Sequence, residues 1–442
     1  MAGRLSKTRR LDVWMNGLLV GQWALRADGT QHFAYDDSWL QHPLRRPLSL
    51  SLPLALGTTA QSAGAVATYF DNLLPDSASI RMRLATRHGA PSTDAFDLLE
   101  KIGRDCIGAV QLLPHGSPQP DVKRIEGTPL SQQQVAARID ALTASPQPGL
   151  DQSDELRISL AGAQEKTALL RQGQRWYVPH GATPTTHIIK LPMGLVGSIR
   201  ADFSTSVYNE WLCAKIMEAY GLPVAKCDIV RFCDHTVLAV ERFDRKLMQT
   251  GWIARLPQED FCQVSGIGPS QKYEEQGGPG MDRILDILRG SNQAELDRFR
   301  FLKTQLLFWM LAAPDGHAKN FSIRLLAGGG FESTPLYDVM SAWPVIGKAA
   351  RQFQWQKIKL AMAVRSKNAH YRMAEVQRRH WNEVARRNSV GTDCETLIAD
   401  LIDQTPRVVA NVQSLLPGDF PASVAEPIFQ GLLQQAKRLG KA

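Results

Sequence analysis

Residues 306–321 read LLFWMLAAPDGHAKNF. An apolar run through Ala313, far short of a membrane span, gives way to a polar turn carrying Asp315 and, five positions on, Asn320. That step is the catalytic-loop spacing of kinase-like phosphotransferases, in which the Asp accepts the proton of an attacking hydroxyl and the Asn amide oxygen binds Mg²⁺. Such a site needs a second metal carboxylate on a nearby strand. Asp338, in TPLYDVMSA, supplies it 18 residues after Asn320, across a hairpin-like LLAGGGFESTP. One or two carboxylates plus substrate phosphates suffice for Mg²⁺. A single Asp in a turn is most often a helix cap. Three such residues in this order, behind a buried helix, point to phosphoryl transfer.

Upstream, a phosphate-cradling loop is expected between the first strands of a β-rich lobe. SLAGAQEKTALL (159–170) lies there, with one glycine and neither a GxGxxG nor a P-loop pattern. Lys190, central in the strand-like HIIKLP, is placed as a phosphate-anchoring lysine. Glu210, twenty residues further on a helix expected over Ser204–Tyr220, either pairs with it or faces solvent. Gly221 and Pro223 close that helix. AKCDIVRFC and HTVLAVERFDR read as a strand pair, and ERFDR (241–245) falls where a hinge would offer backbone groups to adenine. Beyond about residue 255 the pattern is mostly helical. The expectation is an α+β, two-lobed kinase-like fold, β-rich first and mostly α-helical after.

At the other end, RLDVWMNGLLVGQWA (10–24) reads as two strands around Asn16-Gly17. The alternating PLSLSLPLAL that closes 34–56 also reads as extended, and 65–88 as helical, broken by FDNLLPD. A Pro- and Gln-rich stretch over 114–151, enclosing SQQQVAARIDALTA, marks a linker. The units expected are 1–150, 151–255 and 256–442.

Composition sets the limits. The chain has 442 residues, 44% hydrophobic and 21% charged, enough for several ordinary cores. Six scattered cysteines form no CxxC and no zinc spacing, which excludes a disulfide framework or structural zinc and fits a reducing, cytoplasmic setting. No membrane span or signal peptide is expected. Charge is concentrated: 348–387 holds eleven basic and two acidic residues, a local +9 against +8 for the whole chain. Such a segment either attracts a phosphate backbone or is a solvated helical face. It contains no zinc-finger, basic-zipper or RNP signature.

Longer stretches add to this. VWMNG, FDNLLPDS, FDLLEKIGRD, GAVQLLP, ISLAGAQEKTALL, TPTTHIIKLP, VERFDR, RLPQED, DGHAKNF, YDVMSAWPV and KLAMA span nearly the whole chain. On these the sequence resembles the HipA family, the serine/threonine-kinase toxins of bacterial HipBA toxin–antitoxin modules. The resemblance implies ATP and Mg²⁺ as cofactors, Asp315 as catalytic base, and Asn320 and Asp338 as metal ligands. It implies a nucleotide loop of Ala161, Gly162, Ala163, Gln164, Glu165 and Lys166. Lys190, Glu241, Arg242, Phe243, His317, Ala318, Lys319, Asn320, Tyr337 and Asp338 would line the rest of the ATP site. Ser159 would be autophosphorylated, ejecting the loop. Arg386 and Arg387 would contact operator DNA, together with a HipB-like helix-turn-helix antitoxin. Glutamyl-tRNA synthetase is the implied substrate and growth arrest the outcome. IGKAARQFQWQK (346–357) departs from the family pattern. The spacing alone fits equally a small-molecule kinase of aminoglycoside-phosphotransferase type. A DNA-binding corepressor with a vestigial kinase site is the rival from another class.

Overall fold

A computed structural model describes residues 8–54, 61–143, 159–162, 164–197 and 199–441. The first unit is a four-stranded antiparallel sheet in the order β3-β2-β1-β4, built from β1 (Arg9–Met15), β2 (Leu18–Leu25), β3 (Gln31–Tyr35) and β4 (Val110–Pro114). The hairpin at Asn16-Gly17 forms with both φ angles positive (50° and 82°), as a type I′ turn requires. Between β3 and β4 come four helices, α1 (Asp37–Gln41), α2 (Ala63–Asp71), α3 (Ala78–His88) and α4 (Ala95–Ile102). Alternate residues Leu11, Val13 and Met15 turn into a core shared with Trp23, whose ring stacks on Phe70 of α2 at 3.8 Å.

PLSLSLPL is not a strand; among the described residues its only ladder contact is a bridge between Ser49 and Leu52. The reason is side-chain capture from later in the chain. Ser51 Oγ donates to the Gln263 carbonyl (2.7 Å), the Leu50 amide donates to Glu259 (2.8 Å), and the Ser49 hydroxyl also donates to Glu259. Leu48 and Leu52 are thereby set into the first core.

The second unit is a six-stranded antiparallel sheet, with β5 (Gly127–Leu130), β6 (Lys166–Gln172), β7 (Arg175–Pro179) and β8 (His187–Lys190) preceding a small β9 (Gly194–Val196) and β10 (Ala201–Phe203) hairpin. β11 (Cys227–Phe232) and β12 (His235–Glu241) complete the order β11-β12-β8-β6-β7-β5. Within the stretch read as a linker, β5 pairs with β7 as the edge of this sheet. α5 (Gln132–Thr143) covers it, because Val135, Ala136 and Ile139 join Leu169, Trp176 and Val237 in one apolar cluster. α6 (Ser206–Ala219) packs its Leu212, Ile216 and Met217 into the larger core and stops before Gly221, whose φ is 80°.

The remainder is mostly helical. Two short hairpin elements, β13 (Arg245–Leu247) and β14 (Ile253–Arg255), lead into β15 (Gln258–Asp260) and α7 (Phe261–Ser265). α8 (Met281–Ile287) and α9 (Ala294–Met310) follow, then β16 (Ser322–Leu325), which pairs with β15, and β17 (Phe331–Ser333), which pairs with β16. A hairpin of β18 (Lys359–Arg365) and β19 (Ala369–Arg372) precedes α10 (Arg378–Asn388), α11 (Glu395–Ser414) and α12 (Ala422–Gly440). One continuous core runs from Val207 to Leu439. No helix among the described residues is long and apolar enough to cross a membrane, and all six cysteines are unpaired.

The first unit is riveted to the rest by charge. Asp105, just past α4, accepts from Arg245 (2.9 Å), Arg255 (3.1 Å), Arg242 (3.3 Å) and the Thr185 hydroxyl (2.7 Å). Asp244 pairs with Arg242 at 2.8 Å and accepts from the Gly108 amide at 2.7 Å. Burial alone would raise the pKa of Asp105, but the three guanidinium groups hold it well below the usual carboxylate range.

Candidate active site

α9 ends at Met310, and the chain turns through Ala312, in the left-handed region at φ 49°, to reach Asp315. Gly316 is required by space, since a Cβ there would lie 2.4 Å from the Phe308 ring. A 3₁₀ turn, Ala318–Asn320, then lays Asn320 beside the returning segment with Tyr337 and Asp338, which is irregular rather than the strand expected, with a single bridge from Leu336 to Val224. Asn320 Nδ2 donates to the Asp338 carbonyl at 3.2 Å, so this bond engages the amide nitrogen and not the oxygen. Tyr337 fixes the junction by donating to the Lys319 carbonyl (2.8 Å) while meeting Ser322 Oγ at 2.5 Å. Asp338 itself is held at φ 60°, a conformation that L residues rarely adopt and that costs about 1–3 kcal/mol.

What holds it there is Lys190. The Lys190 ammonium donates to Glu210 Oε1 at 2.6 Å and to Asp338 Oδ1 at 2.7 Å, so the helix glutamate does pair with the strand lysine. Burial would lower this pKa, yet the Asp338 and Glu210 carboxylates outweigh it and keep Lys190 above its ordinary value. Burial likewise acts to raise Asp338, but Lys190 and Lys166 hold it well below the usual carboxylate range.

The small-residue loop folds back over this centre. Lys166 Nζ donates to the Ala161 carbonyl at 2.7 Å, and a Cβ on Gly162 (φ 105°) would lie 2.5 Å from that nitrogen. Burial pushes Lys166 down to about 8. The Gly162 carbonyl accepts from the Asp76 amide at 3.1 Å, tying the loop to the first unit. Ser159, 0% exposed, donates its hydroxyl to the Leu73 carbonyl at 2.6 Å.

One cleft gathers Ala161, Gly162, Gln164, Lys166, Lys190, Glu241, Arg242, Phe243, Asp315, His317, Lys319, Asn320, Tyr337 and Asp338. Three expected members stand differently. Glu165 turns to the adjoining hollow, paired with Arg83; Ala318 is buried and does not line the cleft; Ala163 lies outside the described residues. Arg242 reaches the cleft, but its guanidinium is spent on Asp244, Asp105, Thr185 and the Cys106 carbonyl. Lys319 is likewise engaged, by Asp260 (3.1 Å) and Asn72 Oδ1 (2.8 Å).

Sequence reading missed Asp76, Lys272 and Tyr273. Asp76 sits in FDNLLPDS, a motif quoted above without a role, and pairs with Lys272 at 2.9 Å across the cleft mouth. Tyr273 donates its hydroxyl to Asp315. No spacing rule links residues so far apart in sequence.

Among the described residues no three His, Cys, Asp or Glu side chains converge, so a cation held beside Asn320 and Asp338 would need oxygens from a bound ligand for its remaining positions. Among the described residues His317 Nδ1 is buried in the cleft wall without a hydrogen-bond partner, and Asp76 Oδ1 there has only the Lys319 ammonium, at 3.8 Å.

The basic segment is quieter than its charge suggests. Arg386 pairs with Glu383 (2.6 Å) and Arg387 with Asp282 (3.1 Å), both on exposed α10. Lys359 and Arg365 are taken by Glu275 and Glu274, and Arg378 by Glu395. The divergent 346–357 closes as a turn, with Ile346 bridged to Phe353.

Comparison with known proteins places this architecture. A model of the HipA N-terminal domain matches residues 11–113, and one of the HipA-like C-terminal domain matches 158–411, more than half of the chain. The chain belongs to the HipA family. A curated relative named putative kinase Y4mE, from Sinorhizobium fredii, is 32% identical over 414 residues, covering 91% of this chain and 92% of its own. The serine/threonine-protein kinase toxin HipA of Shewanella oneidensis is 29% identical over 351 residues, 76% of either chain. The solved complex of Shewanella oneidensis HipA with HipB and operator DNA shares the fold, at TM-score 0.79 and 24% identity over 98% of this chain and 97% of that one.

Proposed function

We propose that this HipA-family chain is an ATP- and Mg²⁺-dependent protein serine/threonine kinase acting as the toxin of a toxin–antitoxin pair in the cytoplasm. The observation that carries the reading is the convergence of Asp315, Asn320 and Asp338 on one cleft, opposite the Lys190–Glu210 pair. Asp315 takes the proton of the attacking hydroxyl. Asn320 and Asp338 hold the metal, and Lys190 and Lys166 face the phosphates under the 161–166 loop. Bound Mg²⁺–ATP supplies the phosphoryl group and neutralises charge that develops during its transfer. Glutamyl-tRNA synthetase is proposed as substrate on the family resemblance. A HipB-like antitoxin and operator DNA are proposed as partners because the Shewanella oneidensis relative is solved with both. Arg386 and Arg387 would reach DNA by exchanging Glu383 and Asp282 for phosphates.

Ser159 is proposed as a self-phosphorylation site. Its hydroxyl is fully buried against the Leu73 carbonyl, so a phosphate carrying about −1.5 to −2 charges could not remain there and the loop would leave. Mass spectrometry after incubation with Mg²⁺–ATP, followed by nucleotide titration, tests this; modified protein with undiminished ATP affinity refutes it. The activity itself is tested by labelled ATP, offered first with bacterial proteins and then with aminoglycosides. Label passing only to the small molecules overturns the protein-kinase reading in favour of its rival.

A further inference from the structure

We propose that Tyr273 is a positioning residue for phosphoryl transfer: its hydroxyl locks one oxygen of the Asp315 carboxylate and so presents the other to the substrate hydroxyl. This rests on Asp315 being the base. The Asp315 side chain is 48% exposed, on a turn, and among the described residues its only hydrogen-bond donor is the Tyr273 hydroxyl, to Oδ1. His317 Nε2 stands 3.9 Å from the same oxygen, beyond hydrogen-bond length. An exposed carboxylate with no donor would sample several rotamers, and misplacement of a reacting group by about 1 Å can cost about 10²-fold in rate.

Tyr273 is itself held firmly enough to do this. Its ring stands edge-on to His317 with centroids 5.0 Å apart. Its carbonyl accepts from the amides of Gln276 (2.9 Å) and Gly278 (3.0 Å). On one side, Lys272 binds Asp76 through its ammonium (2.9 Å), and its carbonyl accepts from the Ala318 amide (3.2 Å), inside the catalytic turn. On the other, Glu274 is clamped by Arg365 Nε (2.9 Å) and the Ala363 amide (2.6 Å). Gly280 is needed to admit that clamp, since a Cβ would lie 2.3 Å from the Glu274 carboxyl carbon. Residues 272–280 are thus a platform fastened to the catalytic turn, to the first unit and to β18. Burial, and then the Asp315 carboxylate, raise the Tyr273 pKa above its ordinary value, so the hydroxyl remains a donor. During transfer the substrate proton passes to the unheld Asp315 oxygen while Tyr273 keeps its own.

The test uses the full chain, with γ-labelled ATP and bacterial proteins as acceptors. Y273F keeps the ring on His317 and deletes only the hydroxyl. Its kcat should fall about tenfold, with ATP affinity and melting temperature within error of wild type, because general-base catalysis is worth about 10²–10⁴ in all and only its alignment is lost. Replacement by 3-fluorotyrosine, which restores a donor, should recover the rate. D315N sets the baseline. If D315N is inactive while Y273F matches or exceeds wild type, the positioning role is overturned and the Asp315 reading stands. If D315N stays active, both fall. Should Y273F lower the melting temperature, E274Q, which loosens only the platform, decides: a reduced kcat at unchanged ATP affinity supports the role, and an unchanged kcat overturns it.

Discussion

The cleft and the 348–387 segment both carry positive charge, and they use it in opposite ways. In the cleft, Lys190 is buried and shared between Glu210 and Asp338 at 2.6 and 2.7 Å, while His317 Nδ1 in the same cleft has no hydrogen-bond partner among the described residues. In the segment, a local +9 is met by Glu274, Glu275, Asp282 and Glu395 from flanking elements, on side chains that, Glu274 apart, are partly or fully exposed. Fixed charges in a low-dielectric wall act strongly over short distances, whereas exposed pairs are screened within about 8 Å at physiological salt. Charge counted along a sequence therefore finds the attractive surface and misses the site.

The comparison can be broken by mutation. D315N should lower phosphotransfer by about 10²-fold or more while ATP still binds, as label transfer and nucleotide titration would show. A rate within tenfold of wild type would remove the cleft from the argument. D105N strands Arg242, Arg245 and Arg255 without their shared carboxylate in the interior, and should lower the free energy of unfolding by about 3–5 kcal/mol in a denaturant titration. R386A measured alongside should leave the midpoint unmoved; equal effects would erase the distinction between buried and exposed pairs.

Lys166 sharpens the contrast through pH. Its pKa is pushed down to about 8 in the free cleft, and phosphates beside it favour the charged form. Above pH 8 nucleotide binding must therefore take up a proton, and affinity should fall by up to about tenfold per pH unit. Calorimetry in buffers of different ionisation enthalpy reads that uptake; K166M should abolish it, and an uptake unchanged in K166M would assign it elsewhere. The smallest effect belongs to R386A/R387A. If both arginines touch operator phosphates, the log–log salt slope of the antitoxin–operator complex should drop by roughly one unit per contact, with label transfer unchanged. An unaltered slope would leave α10 a solvated face.

Legibility followed the range of the interactions. Asp315, Asn320 and Asp338 could be read because one turn and one hairpin set their spacing, and Asn16-Gly17 because backbone geometry admits few residues there. The alternation of PLSLSLPL misled because Glu259 and Gln263, about two hundred residues away, capture its hydroxyls and amide. β5 was lost in a Pro-rich stretch because an edge strand tolerates proline, and its partner β7 lies 50 residues downstream. Arg242, read as part of the ATP site, does line the cleft, and only the three-dimensional fold shows its guanidinium turned to Asp105 and Asp244.

The Asp105 cluster also bears on the order of synthesis. Domains generally fold as they leave the ribosome, N-terminal first. The first unit emerges carrying a buried-to-be carboxylate whose arginines follow 137, 140 and 150 residues later. Until Arg242 has emerged, that carboxylate has none of these counter-ions and keeps its water. The buried cluster that fastens the first unit to the rest therefore cannot form until more than a hundred further residues have been translated.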